Sequence, residues 1–116
     1  MDKLYVGIWF LISKDLLEEP DKDKRNQMLV CFVQNKLKDF SPTSLRVDEI
    51  KTHLVHKLVK KKKGAFKRKD MDKLLSTKGQ EIINFVAEIK RSQLELMIKH
   101  PLVVFIDQSV GADYFG

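Results

Sequence analysis

From Leu4 to Ile12 the chain runs nine apolar or glycine residues without a polar break, and Leu4, Ile8, Leu11, Ile12 and Leu16 follow helical spacing through and beyond it. With Asp2 as a cap and Pro20 as a stop, the pattern predicts a first helix. The same run holds Tyr5, Val6, Ile8, Trp9, Phe10 and Ile12, which favour strands, and Gly7 weakens a helix. A buried strand is the competing expectation, and its partner would be the β-like run Leu102 to Ile106.

A second helix is better marked. Met28, Leu29, Phe32, Val33, Leu37 and Phe40 recur at intervals of three and four, while Asp21, Lys22, Asp23, Lys24, Asn35, Lys36 and Lys38 fill the other face. Pro20 and Asp21 suit its first turn, and it stops near Phe40, before the break Ser41-Pro42-Thr43-Ser44. Ser41 as cap, Pro42 at the first position and Asp48 and Glu49 early in the helix predict a third, with Val47, Ile50, Leu54 and Leu58 inward. Asp70 caps a short fourth helix, Met71 to Leu75. Thr77-Lys78-Gly79-Gln80 has capping-box spacing for a long fifth, striped by Ile82, Phe85, Val86, Ile89, Leu96 and Met97 and closed near His100 by Pro101.

These elements predict a mainly α fold, a compact bundle of about five helices forming a single domain over 1–110, with 57–69 protruding and 111–116 a flexible tail. The alternative is α+β, with 4–12 and 102–106 paired as a two-stranded ribbon on a helical body. No internal repeat interrupts this organisation. At 116 residues, 43% of them hydrophobic, the chain can bury one core without disulfide or metal staples. Its single cysteine, Cys31, cannot form an internal bridge and is expected as a small buried thiol. The nine-residue apolar run is too short to span a bilayer.

Charge changes this picture in one place. Between Lys57 and Lys69 stand eight basic residues and no acid, whereas the whole chain nets +6, so the other 103 residues sum to −2. A charge imbalance confined to one segment is a local electrostatic site. Four successive residues step 100° apart on a helix, so Lys60 to Lys63 cannot share one face. A third helix must therefore leave the body or end near Lys60, and Gly64 supplies a stop. Of the 22 basic residues only Arg25, Arg46, Arg68 and Arg91 are arginine, which favours diffuse attraction to polyanions over bidentate reading of bases.

The expected function is accordingly non-enzymatic nucleic-acid binding, mostly independent of sequence. Its site residues are Lys57, Lys60, Lys61, Lys62, Lys63, Phe66, Lys67, Arg68 and Lys69. Each cation that neutralises a phosphate releases counterions, and Phe66 between the two clusters is placed to stack on a splayed base. The alternative is an adaptor or regulator that grips another protein, or forms a homodimer, through its apolar terminal segments. There the basic run would serve as a nuclear import signal or dock on an acidic partner. Either assignment implies an intracellular protein, nuclear in a eukaryote.

No cofactor is expected. The five glycines form no phosphate-cradling array, and Asp48 and Glu49, being adjacent, point apart on a helix and make no catalytic pair. His53 and His56 are spaced to face one metal but lack further ligands, so no metal site is expected either.

Overall fold

The computed structural model describes residues 2–49, 66–67 and 79–108, with the backbone alone at 49, 66 and 67. In chain order these form strand β1 (Lys3–Ser13), helix α1 (Lys22–Lys36), strands β2 (Thr43–Glu49), β3 (Phe66–Lys67) and β4 (Gln80–Lys90), a short helix α2 (Leu94–Met97) and strand β5 (Val103–Asp107). The strands make one sheet in the order β2-β4-β1-β5-β3, every neighbouring pair antiparallel. β1, α1 and β2 form one split βαβ unit with β4 inserted between its strands. β4, α2 and β5 form a second with β1 inserted.

This overturns the five-helix bundle. The predicted first helix is β1 followed by a 3-10 turn at Lys14–Leu17, the third begins as β2, and the first half of the fifth is β4. The two-stranded ribbon also understates the result. β1 does pair with β5, through Gly7–Asp107, Ile8–Ile106 and Trp9–Phe105, but both lie inside a larger sheet. The fourth helix, Met71 to Leu75, and the tail 111–116 lie outside the described residues.

Burial explains why the helical spacing misled. In β1 every residue from Val6 to Ile12 is buried, because both faces of the sheet are covered there. A strand buried on both sides loses the period-two alternation and reads as a continuous apolar run. In β4 the residues Ile82, Ile83, Phe85, Val86, Ala87 and Ile89 are all buried. Those at 82, 85, 86 and 89 mimic a helical stripe, while Ile83, Phe85, Ala87 and Ile89 share one face of the strand with spacing two. Leu96, expected in that stripe, is 60% exposed, and Leu94 and Met97 are the buried members of α2.

On one face of the sheet Val6, Ile8, Phe10 and Ile12 of β1 and Ile83, Phe85, Ala87 and Ile89 of β4 pack with Leu29, Val33 and Leu37 of the α1 segment. Register enforces this division, since Ile8 stands opposite Phe85 and Phe10 opposite Ile83. On the other face Trp9, Leu11, Ile82, Val104 and Phe105 make a second cluster, with the Trp9 and Phe105 rings edge to face at 5.1 Å. A β-bulge in the β1–β5 pairing between Trp9 and Phe10 lets both Val104 and Phe105 join it.

α1 forms where the sequence predicts. The Asp21 side chain accepts from the backbone N–H groups of Asp23 (3.0 Å) and Lys24 (3.2 Å), satisfying two of the donors a helix start leaves open. Leu29, Val33 and Leu37 are the buried stripe, four residues apart. Cys31 is two residues, or 200°, from Leu29, which puts it on the outer side. The thiol is exposed, not buried as expected. Asp21→Ala should lower stability by about 1 kcal/mol, with Asp21→Ser recovering most of it, as read from paired urea melts. Equal melts for the parent and the alanine variant would remove the cap from the account.

Gly79 enters β4 at φ +77°, a conformation L side chains resist, and its carbonyl accepts from Lys14 N–H at 3.2 Å. A β-carbon there meets nothing within 4 Å, so the cost of Gly79→Ala is one of backbone conformation alone. About 1 kcal/mol follows, or about 4 °C in Tm, while Gly79→Asn, which tolerates left-handed geometry, should lose less. A Tm unchanged in the alanine variant would contradict the assigned φ.

Candidate functional site

The basic run lies in the segment joining β2 to β4. Of its nine predicted site residues, Phe66 and Lys67 are described: they form β3, the edge strand, with Phe66 opposite Ile106 and Lys67 opposite Phe105. Lys57, Lys60, Lys61, Lys62, Lys63, Arg68 and Lys69 lie outside the described residues, as do His53 and His56. β2 and β3 occupy opposite edges of the five-stranded sheet, about 19 Å apart at normal strand spacing. In the sequence, Lys57 to Lys63 stand between β2 and β3.

Elsewhere the expected chemistry is rearranged. Asp48 and Glu49 sit on β2 and not in a helix, and Asp48 Oδ2 accepts from Asn84 Nδ2 at 3.0 Å across to β4. His100 packs against Phe10, centroids 5.7 Å apart, and its Nδ1 accepts from the Leu102 N–H at 3.1 Å, so it braces the entry to β5. Among the described residues no group of three or more His, Cys, Asp or Glu could hold a metal ion, and no helix is long and apolar enough to cross a membrane. Two ion pairs, Lys14–Glu81 at 3.9 Å and Lys24–Glu19 at 3.8 Å, are solvent-facing and add little to stability.

Both apolar terminal runs are interior strands, so neither offers the exposed partner surface considered for an adaptor. An open groove of about 380 Å³ instead separates α1 from β2, lined by Asn26, Gln27, Val30, Cys31, Arg46 and Val47. In the sequence this edge is masked by Ser41, Pro42 and the acidic pair Asp48–Glu49, which together resemble a helix start. The period-two string Leu45-Arg46-Val47-Asp48 was the signal for a strand with one charged side. No protein-family model, no curated protein and no solved structure matches this chain.

Proposed function

We propose that this chain is a non-enzymatic nucleic-acid-binding domain that contacts phosphates through Lys60 to Lys63 and Lys67 to Lys69, with little dependence on base sequence. The observation that carries this is the concentration of eight cations without an acid in Lys57 to Lys69, in a chain otherwise slightly acidic. Two features of the fold support it. The run is tied to the scaffold at Phe66–Lys67, where β3 pairs with β5, and the chain continues from that edge directly into Arg68 and Lys69. The Lys67 backbone, held in the β3–β5 ladder, has less conformational freedom to lose on binding than that of a cation in a free tail.

The sheet surface is a poor competitor for this role. Single-stranded nucleic acids are bound elsewhere by sheets whose aromatic side chains stack on bases. Here Trp9 is 7% exposed and Phe105 is fully buried, so neither presents a ring to solvent. Recognition through the basic segment also fits an intracellular, and in a eukaryote nuclear, setting.

The test is a titration of duplex DNA, single-stranded DNA and RNA at 50 and 200 mM salt, with the parent chain and a variant carrying glutamine at Lys60 to Lys63 and Lys67 to Lys69. The parent should bind and weaken steeply with salt; the variant should lose binding to all three. Undiminished binding by the variant would refute the proposal.

A further inference from the structure

Antiparallel register sets Lys3 of β1 directly opposite Lys90 of β4. Both are exposed, and so is Arg91, the next residue, whose N–H donates to the Asp2 carbonyl at 2.6 Å and carries the pairing one step past the end of the strands. Directly opposed residues stand about 5 Å apart at Cβ and project to one face of the sheet, so this position of the ladder holds two like charges side by side. Such a pair costs stability. Opposite charges would have served the fold better.

The nearby acids do not relieve it. Asp2 stands across from Arg91, and Glu88 lies two residues along β4 from Lys90, on the same face. Yet none of the Lys3, Lys90 and Arg91 side chains holds an ion pair or a hydrogen bond among the described residues. Beyond the other end of β1 the arrangement is the reverse, since Lys14 there reaches Glu81 at 3.9 Å.

Position adds to charge. Lys3 shares a face of β1 with Tyr5, Gly7 and Trp9; Trp9 stands opposite Phe105, and Phe105 opposite Lys67 on β3. From Lys3 to the Lys67 backbone is therefore six residues along β1 and two strand spacings across, about 22 Å. That is the length of roughly six to seven base pairs of duplex. One nucleic acid held at Lys67 extends to the Lys3–Lys90 pair.

We infer that Lys3, Lys90 and Arg91 form a second cationic contact for the phosphate backbone of nucleic acid. The inference rests on the reading of Lys57 to Lys69 as the primary contact, to which this patch adds two or three phosphates. A phosphate between Lys3 and Lys90 offsets their mutual repulsion, and the counterions it releases there add to affinity. Contacts to phosphate carry no base preference, in keeping with binding that depends little on sequence. Two or three such contacts bind weakly by themselves, so the patch acts on nucleic acid that the basic segment has already engaged.

The test uses the full chain and a duplex of about 16 base pairs, long enough to span both contacts. In the variant K3Q/K90Q/R91Q the log–log salt slope should become shallower by roughly 2–3, and binding at about 50 mM salt should weaken at least about tenfold. Lys3→Glu is the sharper variant. It sets opposite charges across the ladder, so its Tm should match or exceed that of the parent while its binding falls at least as far as that of Lys3→Gln. A merely structural role for Lys3 would move stability and binding in the same direction.

An unchanged slope in the triple variant, beside a parent that binds with steep salt dependence, overturns the second contact and leaves the basic segment standing. The converse result has glutamine at Lys60 to Lys63 and Lys67 to Lys69 leaving binding intact while the triple variant loses it; that refutes the basic segment and keeps the patch. A parent that binds no nucleic acid overturns both. Should the triple variant fail to fold, as read by far-UV circular dichroism, Lys3→Glu decides alone.

Discussion

Phe10→Ala should destabilise the domain by about 3–5 kcal/mol, the usual range for emptying a fully buried aromatic site. Phe10 occupies the middle of β1, the central strand, and its ring meets Phe32 of α1 at 6.2 Å, Phe85 of β4 at 6.4 Å and His100 at 5.7 Å. Truncation thus removes apolar burial and three ring contacts at once. The neighbours are held by sheet register on one side and by α1 on the other, so the cavity cannot collapse easily. With a urea slope of about 2 kcal/mol per M, the unfolding midpoint should fall by roughly 2 M, a large part of the stability of a domain this size. Leu96→Ala is the internal control: at 60% exposure it should cost less than about 0.5 kcal/mol. A helical-bundle chain would have used Leu96 as core and shown a large loss there. A Phe10 variant with a midpoint within about 0.5 M of the parent would contradict the placement of β1.

The second large effect is on nucleic-acid binding. If four or five of the seven cations meet phosphates, log Kobs should fall with log salt at a slope of roughly −3.5 to −4.5 on duplex DNA. A fourfold rise in salt, from 50 to 200 mM, then weakens binding by about 250-fold at a slope of −4. Replacing all seven by glutamine removes the charges responsible, so the slope should approach zero together with the loss of affinity. These two readouts must move together, because counterion release is the origin of both. Retained affinity with an unchanged slope would place phosphate contacts elsewhere on the protein. Phe66→Leu adds a separate comparison: a stacked base should cost single-stranded binding about 1–3 kcal/mol and leave the duplex unaffected. Equal losses on both substrates would assign Phe66 to the scaffold, through the β3–β5 pairing in which its backbone takes part.

The chain itself fixed one helix, one charge cluster and several boundaries. α1 was legible because its determinants are local: Asp21 caps it within three residues, Leu29, Val33 and Leu37 mark its buried side, and Ser41 in a left-handed conformation at φ 46° stands at the break after it. The electrostatic singularity of Lys57 to Lys69 needed no coordinates either, since net charge is additive along the sequence. What tertiary structure alone decided was the state of Leu4–Ile12 and Ile82–Ile89. With both faces covered, apolar residues at every position satisfy a 3.6-residue stripe as readily as a strand, and only pairing of β1 with β4 and β5, contacts distant in sequence, selects the extended form. The same non-local choice turned Arg46 and Asp48 from early residues of a helix into neighbours along a sheet edge.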